Sequence, residues 1–285
     1  MRNNIREFCF PAAVKEAVGL MTKLKSKAMI VAGGTRPPGD VPSSVETVID
    51  ITDLPLRHLQ ADKGWLRIGA LCTLEELEKS ALLKSWARGV IAQTAGFGTT
   101  ALARSMGTVG GNVVRPHPYN NLPPLFLALD AVAVCAHDGG EEAVPFGDIL
   151  KPDIMRRFGH SWLLTELRVP AHTKGWAAVS PRLGATKSDW KGYANCVVAA
   201  DVHGGVCRKA AVAVSAMLPR ATRMAKAETS LAGAAADEAA ARGAEAAVVS
   251  ELEELTGKSP AKAHAVRTAG VLARRALLQA FSSGR

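Results

Sequence analysis

The chain has 285 residues, 35 Lys+Arg against 26 Asp+Glu, and 48% hydrophobic side chains. That length and apolar content allow one large domain or two to three small ones, and exclude a disordered or collagen-like chain. The net charge of +9 sits in one half: residues 1–150 hold 15 basic and 15 acidic side chains, and residues 151–285 hold 20 and 11.

In chain order, residues 11–25 read as an amphipathic helix with Pro11 at its start and Val14, Val18 and Met21 on one face. Ala28–Val31 is a short apolar strand running into Gly33-Gly34, and Thr47–Ile51 and Trp65–Ala70 are further strands. Thr73-Leu-Glu-Glu76 is a capping box that should open a helix to about Leu83. Helical stretches then run to about Arg104, with a break near Gly96-Phe-Gly98. Pro123 and Pro124 fit the first turn of a helix after Asn121. Ala131–Cys135 reads as a strand that turns at Asp138-Gly139-Gly140, and Trp162–Val169 as another.

Beyond about residue 170 the texture changes. Tyr193–Val202 and Val206–Leu218 flank His203-Gly204-Gly205 as a long hairpin. Thirteen alanines in residues 221–250 indicate helix, and residues 261–281 a last amphipathic helix. The layout is α+β, with a boundary near residue 170.

Five scattered cysteines with no C-x-x-C pair argue against a disulfide framework and against an iron–sulfur cluster or zinc ribbon within the chain. The N-terminus has no apolar h-region, and no apolar run approaches the ~18 residues of a membrane span, so a cytoplasmic location is expected. Aromatics at 5% and the lack of a nucleic-acid motif turn the basic half away from nucleic acid.

Two segments share a design suited to phosphate. Val31-Ala-Gly-Gly-Thr35 places a glycine pair and a hydroxyl after a strand, and Gly107-Thr-Val-Gly-Gly-Asn112 places a second pair between a hydroxyl and an amide. Glycine lets backbone approach a ligand and turn N–H groups inward, and Thr and Asn add side-chain partners. Neither segment is a Walker loop or a G-x-G-x-x-G fingerprint. Taken singly, each pair also reads as a tight turn.

Val31–Thr35, Ile68–Leu77, Met106–Asn112 and Asn121–Ala131 occur in an order that resembles the FAD-binding subunit of molybdenum hydroxylases, the family of xanthine dehydrogenase and aerobic carbon monoxide dehydrogenase. The resemblance implies a two-part FAD-binding domain of the vanillyl-alcohol oxidase type over residues 1–170, with a break near 55–60. A C-terminal domain of hairpins and helices over 171–285 would follow, covering the flavin. It implies that Val31, Ala32, Gly33, Gly34 and Thr35 line one side of the FAD diphosphate, and Thr108, Gly110, Gly111 and Asn112 the other. Asn121 stands where relatives carry Asp near the ribityl chain, and Arg182 near a relative's Lys. Tyr193 falls beside the flavin ring, with Gly192 in place of the usual Asp. Departures also occur at Arg36–Asp40 and at Arg115-Pro116-His117-Pro118.

The activity implied is electron transfer within a heteromeric oxidoreductase. A large subunit with the molybdenum cofactor oxidises substrate, a small subunit carries two [2Fe–2S] clusters, and FAD on this chain passes electrons to an external acceptor. No catalytic acid–base pair and no metal ligand is assigned here. Arg182, Lys187 and Lys191 would favour the reduced, anionic flavin, attract a phosphorylated acceptor such as NAD, dock an acidic partner, or form a solvated face. Two other classes stand beside this one: a flavin-free structural or assembly subunit of the same complex, and a free-standing FAD-dependent oxidase.

Overall fold

The computed structural model describes residues 4–36, 40–62, 64–114, 117–159, 161–186 and 189–282, and their strands fall into three sheets. The first sheet is parallel. β1 (Glu7–Cys9) and β2 (Ala28–Val31) flank β3 (Thr47–Asp50), and α1 (Val14–Leu24) joins β1 to β2. The helix starts three residues later than Pro11 suggests. Ala13 is extended, with φ −143° and ψ 152°, and the Ala12 N–H donates to the Glu16 carboxylate at 2.7 Å. Ala17 and Val18 of α1 close a small core over Ile49 and Ile51.

The second sheet is antiparallel, built from β4 (Leu59–Ala61), β5 (Trp65–Gly69), β6 (Val132–His137), β7 (Gly140–Pro145) and β8 (Trp162–Pro170) in the order β4-β5-β8-β6-β7. Between β5 and β6 lie α2 (Leu74–Lys79), α3 (Ala81–Lys84), α4 (Val90–Ala95), α5 (Ala101–Met106), α6 (Val109–Val114) and α7 (Leu122–Ala128). The capping box forms with both bonds, Glu76 N–H to Thr73 Oγ1 at 3.2 Å and Thr73 N–H to Glu76 Oε2 at 2.8 Å. The expected single helix to Leu83 is instead two, because Ser80 is extended and its hydroxyl caps α3. The helices α8 (Phe146–Ile149) and α9 (Ile154–Phe158) precede β8. Ile68, Cys135 and Leu167 of the sheet share a core with Val90, Ile91, Leu125 and Phe126.

The third sheet is the long hairpin of β11 (Gly192–His203) and β12 (Val206–Ser215), after β9 (Ala177–Val179) and β10 (Arg182–Gly184). The turn residues Gly204 and Gly205 have φ of 57° and 75°, the pairing that suits a two-residue hairpin. Both β9 and β10 pair with the free side of β11, and β13 (Thr222–Arg223) and β14 (Ala234–Ala235) with β12. Alternation along β11 serves two cores. Cys196, Val198 and Ala200 pack with α10 (Ala225–Leu231), α11 (Glu238–Thr256) and α12 (Ala263–Ser282), whereas Val197 and Ala199 join the core of the second sheet. Among the described residues no helix is long and apolar enough to cross a membrane.

Candidate functional site

β2 ends at Val31 and releases the chain into Ala32–Thr35, and α5 releases it into Gly107. The two segments cross in contact. A Cβ on Gly33 would stand 1.8 Å from the Met106 carbonyl oxygen and 3.2 Å from the Gly107 Cα, and Thr35 Oγ1 lies 3.8 Å from the Cβ position of Gly107. Gly34 takes φ +63°, a conformation that costs a side-chain-bearing residue energy. The N–H groups of Gly33, Gly34 and Thr35 donate to no acceptor among the described residues.

The second segment is not an open loop. Gly110, Gly111 and Asn112 lie in α6, whose start is pinned to the neighbouring chain. Val109 N–H donates to the Cys72 carbonyl at 2.9 Å and Gly110 N–H to the Ala70 carbonyl at 2.8 Å. Gly111 N–H donates to Thr108 Oγ1 at 3.1 Å, and Asn112 N–H to the Thr108 carbonyl at 3.0 Å. These amides are therefore engaged within the protein, and the segment offers side chains and space instead. Asn112 Oδ1 is buried without a hydrogen-bond partner. The Cβ position of Gly111 meets only Thr108 Oγ1 within 4 Å.

A second group of site residues gathers where β10 and β11 meet α7. Asn121 precedes α7, donates Nδ2–H to the Phe97 carbonyl at 3.0 Å and accepts from Asn195 Nδ2 at 3.2 Å. Its amide is thus committed to the seam between the second and third sheets. Arg182 pairs in register with Asn195. Its Nη2 donates to the Asp189 carbonyl, and its Nε, like Asn195 Oδ1, is buried without a partner. Burial lowers the Arg182 pKa, opposed by the charge of Asp189.

Gly192 fits this crowding, because a Cβ there would lie 2.6 Å from Asn195 Oδ1 and 3.2 Å from Arg182 Nε. Tyr193 stands exposed at the start of β11. The two groups are joined by Asn120, whose Nδ2 donates to the Asn112 carbonyl at 2.6 Å. Pro37–Gly39, Arg115, Pro116 and Lys187 lie outside the described residues.

Sequence reasoning missed Asn195 and the ring cluster of His117, Tyr119 and Trp190, whose centroids are 5.0–5.6 Å apart. Asn195 was detectable as a polar residue in the otherwise apolar run Ala194–Ala200. Trp190 carried no such mark, since the sequence does not show which loop it faces.

Residues 3–172 match the FAD binding domain in molybdopterin dehydrogenase. The chain belongs to that family. Residues 186–280 match the CO dehydrogenase flavoprotein C-terminal domain. The carbon monoxide dehydrogenase medium chain of Hydrogenophaga pseudoflava is 28% identical, with 97% of each chain covered. That of Afipia carboxidovorans is 27% identical, covering 95% of this chain and 94% of its own. A solved structure of carbon monoxide dehydrogenase from Hydrogenophaga pseudoflava, lacking the Mo-pyranopterin moiety of its cofactor, superposes with a TM-score of 0.87 over 99% of both chains at 26% identity. As a member of the molybdopterin-dehydrogenase FAD-binding family, the chain is an oxidoreductase subunit with an FAD-binding domain and an α+β C-terminal domain.

Proposed function

We propose that this chain carries FAD in a heteromeric molybdenum-containing dehydrogenase, taking electrons from [2Fe–2S] clusters on a small subunit and passing them to an external acceptor. Substrate oxidation would belong to a large subunit holding the molybdenum cofactor. The observation that carries the reading is the crossing of the two glycine segments, with unengaged amides on one side and the buried Asn112 Oδ1 on the other.

The fit to a diphosphate rests on this chain's own atoms. Gly33-Gly34-Thr35 offers N–H groups and a hydroxyl, which suit an anion that must be held without lysine. Asn112 offers an amide, whose oxygen and nitrogen exchange by a half turn, so either can face the ligand. Gly111 adds no side chain beside it, and its Cβ position meets only Thr108 Oγ1, at 3.1 Å. Val31 and Ala32 lead into the first segment, and Thr108 and Gly110 set the second. Asn121, Arg182 and Tyr193 then lie toward the ribityl chain and ring, with the Arg182 cation favouring negative charge there. Bound FAD supplies the exchange between one-electron and two-electron carriers, and the protein supplies position and field.

The test is purification of the complex with its natural partners. FAD, molybdenum and iron recovered together with this chain support the reading. A chain that takes up no FAD on reconstitution and recovers no molybdenum or iron–sulfur partner contradicts it.

A further inference from the structure

A cavity of about 410 Å³ opens at the seam of the second and third sheets, away from the glycine segments. Three stretches far apart in sequence build it: Arg88, Gln93 and Phe97 around α4, Arg182 and Thr186 on and after β10, and Gln279 near the end of α12. Among the described residues that line it there are two arginines and no carboxylate. Guanidinium groups offer forked donors that suit phosphate oxygens, and the glutamines and Thr186 add neutral partners. Phe97 gives an apolar wall for an organic body. The volume falls in the range of small-molecule pockets, well above that of a bare ion.

Two further observations point to a ligand. Arg88 is held in a left-handed conformation (φ 59°), between Ala87 at 43° and Gly89 at 76°. Side-chain-bearing residues in this region cost energy, and such strain concentrates at functional sites. The Arg182 Nε is also buried and without a partner.

We propose that this cavity binds a phosphorylated small molecule of mononucleotide size, gripped through Arg88 and Arg182. The site is distinct from the paired glycine segments. It shares Arg182 with the group at Asn121 and Asn195 and adjoins it at Phe97, whose carbonyl accepts from Asn121, so an anion here partly neutralises a cation that also faces that group.

The experiment is calorimetric titration of the FAD-saturated full chain with AMP, adenosine and inorganic phosphate. Loading with FAD removes the glycine segments as a competing phosphate site. AMP should bind saturably, and adenosine at least about tenfold more weakly, the scale of one lost charge-assisted contact. Arg88→Gln should weaken AMP by about the same factor, with flavin content unchanged. Gln279→Glu, which puts a carboxylate on the cavity wall, should do so by repulsion and serves as the independent variant. Displacement of AMP by inorganic phosphate supports the shared anion contact, and equal affinity for the two overturns an occupant of mononucleotide size. Equal affinity for adenosine and AMP overturns the proposal, as does AMP binding untouched in both variants or no saturable binding in the millimolar range. A flavin-free Gly111→Val chain should keep the Arg88-dependent AMP binding, so this test and the flavin reading fail separately.

Discussion

Gly33 has no room for a methyl group, because the Met106 carbonyl oxygen occupies its Cβ direction at 1.8 Å. Gly110 is packed on Ala70, with the Ala70 oxygen 3.0 Å from its Cβ position. Gly34 has space around it but needs its positive φ, and Gly111 needs no positive φ but has Thr108 Oγ1 3.1 Å from its Cβ position. Four glycines that look alike in the sequence therefore respond differently to substitution. Gly33→Ala forces two backbone segments apart and should cost about 3 kcal/mol or more, the upper end for overpacking, measured by urea unfolding. Gly34→Ala should cost only about 1 kcal/mol, from strain alone. A Gly33→Ala variant as stable as the parent would mean that the segments do not cross as described. The sequence marked both pairs as candidates, but their division of labour depends on contacts some 70 residues apart (Gly33 with Met106), which no local pattern encodes.

At the scale of elements, strands and caps were the legible part. The capping box at Thr73, the strand before Gly33 and the Gly204-Gly205 hairpin each depend on local chemistry, and each forms. Less legible was where helices break. The Ala-rich stretch is two helices with β14 between them, since Ala234 and Ala235 pair with Val206 and Cys207. Tertiary pairing overrode helix propensity there.

The sequence also hid a buried carboxylate. Glu166 in the apolar-looking strand β8 is 4% exposed and accepts from Arg168 at 2.6 Å, His58 at 2.7 Å and Arg67 at 2.8 Å. Burial alone would raise its pKa, but the bonds from Arg168, Arg67 and His58 outweigh burial and hold it below the ordinary value of 4.5. A depressed folded-state pKa contributes stability above the unfolded value, and that contribution is lost as pH falls through the folded one. Glu166→Gln should lower stability near neutral pH by about 1–3 kcal/mol. Thermal midpoints of parent and variant should converge as pH falls below about 4. A gap that stays constant from neutral to acid pH would show that the carboxylate charge is not what stabilises β5 against β8.

For the whole molecule, the second and third sheets are joined through polar contacts as well as core. Arg223 on β13 donates to Asp130 and to the Leu127 carbonyl, each at 2.8 Å, and to Glu228 of α10. Lys209 of β12 reaches the other Asp130 oxygen at 2.8 Å. Arg223→Met removes the contacts across the seam and leaves Asp130 and Glu228 facing each other's charge. It should cost about 2–4 kcal/mol in unfolding experiments. Loss of that order with full flavin content would separate the seam's structural role from cofactor binding. Neither partner was identifiable from the sequence, where Arg223 and Asp130 are ordinary surface charges. What the sequence did carry was the order of four motifs, because that order follows one chain path through a family fold.

The basic second half now has a more specific meaning. Two of the fold's cation-bearing faces, the group at Arg182 and the cavity shared with Arg88, lie at the seam between the two regions. The diphosphate, by contrast, is proposed to lie in the neutral half, where backbone N–H groups would take the place of lysine. The most direct test of that central claim is the FAD content of the purified, reconstituted chain, read from its absorbance near ~450 nm and from flavin released on denaturation. The parent should hold about one FAD per chain, and Gly111→Val should hold none while the chain stays folded, because the added side chain, starting against Thr108 Oγ1, would occupy the space proposed for the diphosphate. Undiminished flavin in Gly111→Val would contradict the assignment of the two glycine segments.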